Sequence, residues 1–413
     1  MIARALFLLA WITWSCVELK PLQSQKLLVV LLDGVRWDYV DKFDMKSLKR
    51  IHTLGARAGY MKSDYPTLSF PNYYTIMTGL HTESHGITGN FMYDDVKHEA
   101  FLNGINKDSF KAHWWDGGEP LWVTAVLQKK SSYMFYWPGC EVTIRGVTPT
   151  YCRNFTYEQT LEDFQDALDE SLQLLTTGTT DLAVVYYLPT DSIAHQYGVE
   201  SSQLAQTLRD ADGAMGDVID YIIRYKQFQI NLLVVSDHGM TPVDTSRTID
   251  LTPVLTSEPN LYTIIVEAGA VTNIFSPTPA AVDKVYTLLK TFSPHMKVYK
   301  KSDIPSRFFY KHGKHVSPLT CVADLGWTII HPFSGFPTKK NSTFVASHGY
   351  DNNQADMRGI FYAVGPSFKP QSTVDYINAV DPYNIMCSIL GLRPAPNNGS
   401  SLKINRLLKK SKP

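Results

Sequence analysis

An α/β fold, with a mostly parallel sheet, helices on both faces and a smaller α+β insertion, is what this 413-residue sequence predicts. Three observations point to it. Continuously apolar runs recur at Leu27–Leu32, Leu182–Leu188, Leu232–Ser236 and Ile360–Val364, the pattern of parallel strands buried on both faces. Between them, apolar residues step by three and four, as helices require: Leu161, Phe164, Leu168, Leu172 and Leu175, then Leu204, Leu208, Ala211, Met215, Val218 and Ile222. The stretch from about 240 to 345 differs, being rich in Pro, Thr and Ser, with a strand at Tyr262–Glu267 and a helix near Ala281–Phe292. It reads as an insertion within a domain spanning residues 24–400.

Composition narrows the function. Hydrophobic residues at 44% and charged residues at 19% exclude a disordered chain. Lys+Arg and Asp+Glu are both 39, so no broad positive field exists to hold a nucleic acid polymer. At the N-terminus, Arg4 precedes an apolar run from Ala5 to Trp14, which ends before Glu18 and Lys20. This predicts a signal peptide over residues 1–18, cleaved within 14–20, and hence secretion. The competing readings are a strand or a membrane anchor, but a span needs about 20 apolar residues. No hydrophobic C-terminal tail suggests a transmembrane helix or lipid anchor. Residues 401–413 form a basic tail, expected to be solvated and frayed, with at most a weak pull toward anionic membrane surfaces.

Of the 5 cysteines, Cys16 falls at the predicted cleavage region. Cys140 and Cys152 flank a short Thr/Gly/Pro loop that a disulfide closes easily, while Cys321 and Cys387 are ambiguous. Sequons at Asn154, Asn341 and Asn398 fit a glycosylated secreted protein.

Chemistry collects at strand ends, where open α/β sheets bind ligands. Asp33 follows Leu-Val-Val-Leu-Leu, Asp191 follows Val-Val-Tyr-Tyr-Leu-Pro-Thr, and Asp237 with His238 follows Leu-Leu-Val-Val-Ser. A single acid there is usually a cap or turn residue. Three in one sheet are harder to dismiss. His195 lies four residues after Asp191, one helical turn away, and His348 precedes the last strand. Mixed carboxylate and imidazole donors suit zinc, and six of them suit two adjacent Zn2+ ions. Ser69, in Pro66-Thr-Leu-Ser69-Phe-Pro71, stands where a helix begins. It reads as a zinc-activated nucleophile or as a plain N-cap. Asn90 reads as a donor to a phosphoryl oxygen or as a turn residue.

Together these segments resemble the ectonucleotide pyrophosphatase/phosphodiesterase family of the alkaline phosphatase superfamily. The resemblance rests on Leu-Leu-Asp33-Gly-Val-Arg, Pro66-Thr-Leu-Ser69-Phe-Pro-Asn-Tyr-Tyr-Thr-Ile-Met-Thr-Gly79, Glu83-Ser-His-Gly-Ile, Ser-Asp237-His238-Gly-Met, His348-Gly-Tyr-Asp and Asp356-Met-Arg-Gly-Ile-Phe. It spans about residues 26–400 and implies an alkaline-phosphatase-like sheet. It also implies one zinc on Asp191, His195 and His348, and a second on Asp33, Asp237 and His238 with Ser69. Asn90 would stabilise the oxyanion, and Cys140 would pair with Cys152.

Within the family, Ser69 in place of the usual Thr, with Trp114-Trp115, Tyr136-Trp-Pro-Gly-Cys-Glu-Val and Ile304-Pro-Ser-Arg-Phe-Phe-Tyr, resembles the choline-specific branch. That implies release of phosphocholine from glycerophosphocholine, lysophosphatidylcholine and sphingosylphosphocholine through a phosphoseryl intermediate. Phe155, Tyr157 and Tyr186 are the candidate aromatic cage for the ammonium, or residues that simply pack a loop. The alternative is a nucleotide pyrophosphatase/phosphodiesterase releasing nucleoside 5′-monophosphates. A sulfatase requires Arg where Tyr73 stands. A binding protein that has lost activity fits poorly with an intact set of ligands and nucleophile. The expected partner is a small-molecule or lysolipid phosphodiester, and a homodimer is left open.

Overall fold

The computed structural model describes residues 25–103, 106–331 and 344–409. Its centre is an eight-stranded sheet. In chain order the strands are β1 (Lys26–Leu32), β2 (Ala56–Ala58), β3 (Ser132–Phe135), β4 (Tyr151–Arg153), β5 (Leu182–Tyr187), β6 (Ile230–Val235), β7 (Phe361–Val364) and β8 (Ser372–Val374). Their spatial order is β8-β2-β7-β6-β1-β5-β3-β4. Every side chain from Leu27 to Leu32 is fully buried. Because successive side chains point to opposite faces, both faces of the sheet are covered.

One sequence expectation fails here. Ile360–Val364 reads as a parallel strand, but β7 runs antiparallel to β6, with Phe361 opposite Val235 and Val364 opposite Leu232. The reason is topological. The chain leaves the carboxyl end of β6 at Asp237, makes the insertion, and re-enters the sheet at that same end. A buried run such as Phe-Tyr-Ala-Val carries no signal of direction.

The helices that position the site are α1 (Ser69–Thr78), α2 (Leu161–Thr177), α3 (Pro189–Tyr197) and α4 (Ser202–Arg224). α1 is buried on all sides. α2 begins with a capping box between Thr160 and Asp163 and stops at Gly178, whose φ of 78° ends the helix. The insertion holds a four-stranded sheet whose spatial order is Ile264–Val266, Val271–Phe275, Leu319–Ala323, Met296–Lys300, all antiparallel, with the helix Pro279–Leu289 and a separate apolar core.

Cys140 and Cys152 form a disulfide, and Cys321 and Cys387 are free and buried. The basic tail is not frayed through its length: Ser401–Leu407 is a helix that buries Ile404 and Leu407, and Lys409 N–H bonds the Ser367 carbonyl. The apolar residues at 404, 407 and 408 outweigh the charge between them. Asn154 and Asn398 are exposed. Residues 1–18, predicted as a signal peptide, and Asn341 lie outside the described residues. No described helix is long and apolar enough to cross a membrane.

Candidate active site

Asp33 ends β1, Asp191 and His195 lie on α3 just after β5, and Asp237 and His238 follow β6. These three strands are neighbours and parallel, so their carboxyl ends deliver the five side chains to one place. His348 arrives from the far side of the insertion. Glycine at 34 permits the convergence: a Cβ there would lie 2.9 Å from Asp191 Oδ1, and its φ is +67°. Gly34 N–H also donates to Asp237 Oδ1 at 3.1 Å.

Two clusters result. Asp191, His195 and His348 present ligand atoms within 4.8 Å of one another, as do Asp33, Asp237 and His238. His195 Nε2 is 3.4 Å and His348 Nε2 3.7 Å from the Asp191 carboxylate. His238 Nε2 is 3.1 Å from Asp237 Oδ2 and 3.5 Å from Asp33 Oδ1. The His238 and His348 rings stack at 3.6 Å, which joins the two clusters.

The histidines share one arrangement. His195 Nδ1–H donates to Ala346 O at 2.7 Å, His238 Nδ1–H to Gly239 O at 2.9 Å, and His348 Nδ1–H to Thr67 O at 2.9 Å. A carbonyl only accepts, so each proton sits on Nδ1 and each Nε2 lone pair faces the site. Burial lowers the His195 pKa, holds His238 down to about 3, and sets His348 well below its ordinary value, helped there by His238 and His195. The imidazoles are therefore neutral and ready to coordinate.

The carboxylates are in the opposite condition. Burial pushes Asp33 and Asp191 up to about 7, with Asp191 adding to the effect on Asp33. Asp237 is raised well above the carboxylate range, by burial first and then by Asp33. Among the described residues no Lys or Arg pairs with any of the three; their ion-pair partners are histidines. Asp33 Oδ1, Asp191 Oδ1 and Asp237 Oδ2 are buried without a hydrogen-bond partner. Orphaned oxygens beside aimed imidazoles fit divalent cations, which would remove the cost of three crowded buried charges.

Ser69 opens α1, with Leu68 extended before it. Its Oγ lies 3.1 Å from His238 Nε2. Asn72, one turn on, accepts from Asp64 N–H at 2.7 Å and donates to the Pro66 and Leu68 carbonyls, which fixes the loop leading into Ser69. Asn90 Oδ1 accepts the Phe70 N–H at 3.0 Å. With that oxygen engaged, the Asn90 NH2 remains to donate beside Ser69.

The three aromatic candidates form a chain of ring contacts, Tyr157 to Phe155 at 4.8 Å and Phe155 to Tyr186 at 5.8 Å. Phe155 and Tyr157 line a cavity of about 190 Å3, shared with Phe70, Asn103, Ser109, Phe110, Trp115, Pro138, Gly139 and Glu141. Phe70 directly follows the serine, so this cavity adjoins the clusters. Tyr186 does not line it, but its ring packs against Phe155 with centroids 5.8 Å apart. It is buried, and its hydroxyl donates to Asp33 Oδ2, as does that of Tyr73, the two hydroxyls lying 2.6 Å apart. Its hydroxyl sits behind the Asp33 carboxylate, because Tyr186 is next to the last residue of β5 and pairs with Leu31, two residues before Asp33.

Sequence reasoning missed the outer layer that fixes Asp33, and Tyr73 was findable as the residue one helical turn after Ser69. It also missed Glu141, whose Oε2 is buried without a partner at the cavity wall. No spacing rule places that loop residue.

The profile of the type I phosphodiesterase/nucleotide pyrophosphatase family matches residues 27–351. The chain belongs to this family. It is 36% identical over 387 residues to the bis(5′-adenosyl)-triphosphatase ENPP4 of Homo sapiens, covering 91% of this chain and 80% of that protein. It is 31% identical to family member 5 of Homo sapiens, covering 98% and 83%, and 32% identical to family member 7 of Mus musculus, covering 94% and 88%. The solved murine ectonucleotide pyrophosphatase/phosphodiesterase 5 superposes with a TM-score of 0.84 at 32% identity, covering 93% of this chain and all of that one. The fold is thus alkaline-phosphatase-like, and the chain is an enzyme of the phosphodiesterase/pyrophosphatase type. The resemblance holds for the family. These matches do not support the choline-specific branch.

Proposed function

We propose that this protein is a metal-dependent nucleotide phosphodiesterase/pyrophosphatase that releases nucleoside 5′-monophosphates through an intermediate in which Ser69 is esterified to the nucleoside 5′-phosphate. The observation that carries the nucleotide reading is the likeness to nucleotide-hydrolysing members of the family, and the aromatic cavity beginning at Phe70, one residue from the nucleophile, accommodates it. Phe70, Phe155 and Tyr157 offer ring faces for a flat base, and Glu141 offers an acceptor for a ring amino group. The adenosine-polyphosphate activity named for ENPP4 supports it. An exposed disulfide-closed loop and two exposed sequon asparagines support action outside the cell.

Asp191, His195 and His348 would hold one Zn2+, and Asp33, Asp237 and His238 the other, beside Ser69. When bound, the ions supply Lewis acidity and lower the pKa of a coordinated hydroxyl. The Ser69 oxygen attacks phosphorus in line, the P–O bond to the leaving group breaks, the leaving group takes up the proton lost by the serine, and Ser69 is left esterified to the nucleoside 5′-phosphate. Asn90 donates to a non-bridging oxygen, and the N-terminus of α1 adds its dipole. Water then bonds to phosphorus as the Ser69 Oγ–phosphorus bond breaks, which frees the nucleoside 5′-monophosphate and returns a proton to the serine.

Hydrolysis of the 4-nitrophenyl ester of thymidine 5′-monophosphate should be compared with that of glycerophosphocholine. The nucleotide ester is expected to turn over with much the larger kcat/KM. Turnover of glycerophosphocholine alone would overturn the nucleotide reading.

A further inference from the structure

The insertion reaches the active site at one point that the reaction scheme does not use. Glu267 lies in the turn between strands Ile264–Val266 and Val271–Phe275 of the insertion sheet. It is 5% exposed, yet it is a charged residue type. Its backbone has φ +65°, in the left-handed region that a side chain with a Cβ seldom adopts. His331 Nε2–H holds that backbone by donating to the Glu267 carbonyl at 3.0 Å.

The carboxyl group faces the main domain. Glu267 Oε1 accepts the Phe91 N–H at 2.7 Å, and the Asn90 N–H also points to this carboxyl. Gly89 closes the contact, since a Cβ there would lie 2.7 Å from Glu267 Oε1. The segment held in this way is the one carrying Asn90, whose Oδ1 is bonded to the Phe70 N–H next to the nucleophile.

We propose that Glu267 is a positioning residue: it clamps the backbone of residues 90–91 so that the Asn90 amide is aimed at the phosphoryl oxygen beside Ser69. The inference rests on the phosphodiesterase reading above and on the donor role given there to Asn90. A strained backbone and a buried carboxyl persist only where neighbours over-determine them, and here the neighbours are the oxyanion-side loop. Burial pushes the carboxyl up to about 8, so near neutral pH it is largely uncharged. Glutamine would present the same neutral acceptor.

The test is a double-mutant cycle on whichever diester the wild-type chain turns over better, the thymidine ester or glycerophosphocholine. Glu267→Ala should lower kcat by roughly 10–100-fold, with KM little changed, because the lost donor acts in the transition state. Glu267→Gln should stay within about threefold of wild type. In an Asn90→Ala background, Glu267→Ala should cost almost nothing more. Gly89→Ala, which pushes the loop off an intact Glu267, should reproduce the kcat loss and covers the case in which Glu267→Ala does not fold. Additive losses in the cycle, a loss confined to KM, or a Gln variant as poor as the Ala variant would overturn the proposal. Preference for glycerophosphocholine would sink only the nucleotide reading. A wild-type chain inert toward both diesters would sink the two together.

Discussion

The ligand clusters and the aromatic cavity beside them are built by different means. The clusters hang on regular structure: five of six ligands leave the ends of three adjacent parallel strands, and every imidazole is locked to a backbone carbonyl. The cavity wall comes largely from loops and short elements between residues 103 and 157, and Tyr157 is 57% exposed. The first region is rigid and over-determined, and the second is free to vary. Reaction type therefore belongs to the sheet, while substrate choice belongs to loops that can change without disturbing it.

That contrast can be broken or sharpened by substitution. The largest effect should come from the rigid region. Ser69→Ala should reduce turnover by at least about a thousandfold, while leaving zinc content unchanged. Steady-state kinetics with elemental analysis of the same sample checks it.

Next is the pH dependence of metal uptake. Asp33 and Asp191, raised to about 7 by burial, must lose their protons to bind a cation, whereas His238, lowered to about 3, has none to lose from Nε2. Metal affinity should therefore fall as pH drops below 7, by up to about tenfold per unit for each carboxyl displaced. Zinc titration of the chelator-treated protein at pH 5, 6 and 7 measures this. An affinity flat across that range would contradict the burial argument.

Removing the support behind Asp33 should cost less. Tyr186→Phe should weaken zinc binding by about tenfold, with a smaller loss of kcat at saturating zinc. If Tyr186 instead contacted the substrate, KM would change and zinc affinity would not. The smallest effect belongs to the variable region. Tyr157→Ala should raise KM for the thymidine ester by a few-fold to about tenfold and leave kcat near wild type. A fall in kcat with KM unchanged would erase the division between the two regions.

The same division explains what the sequence discloses. Leu27–Leu32 and its relatives reveal the sheet because burial on both faces leaves an unbroken apolar run. Asp33, Asp191 and Asp237 can be singled out because each stands directly after or just beyond such a run. The direction of β7 is not legible, since it depends on the chain's route through some 120 intervening residues, and neither is the bond from the Tyr186 hydroxyl to Asp33, which depends on the register between β5 and β1. Nor is Glu267: its partner is a backbone N–H, and nothing in the sequence of residues 89–91 records that a carboxylate faces it. Substrate preference is not legible from motifs such as Tyr136-Trp-Pro-Gly, because which faces line the cavity beside Ser69 depends on how distant segments pack together.

Anomalous scattering from zinc-loaded crystals tests the central claim most directly. Two peaks are expected, one among Asp191, His195 and His348 and one among Asp33, Asp237 and His238, the second within coordinating reach of Ser69 Oγ. No peak in either cluster, or a second-cluster ion with Ser69 Oγ out of reach, would contradict it.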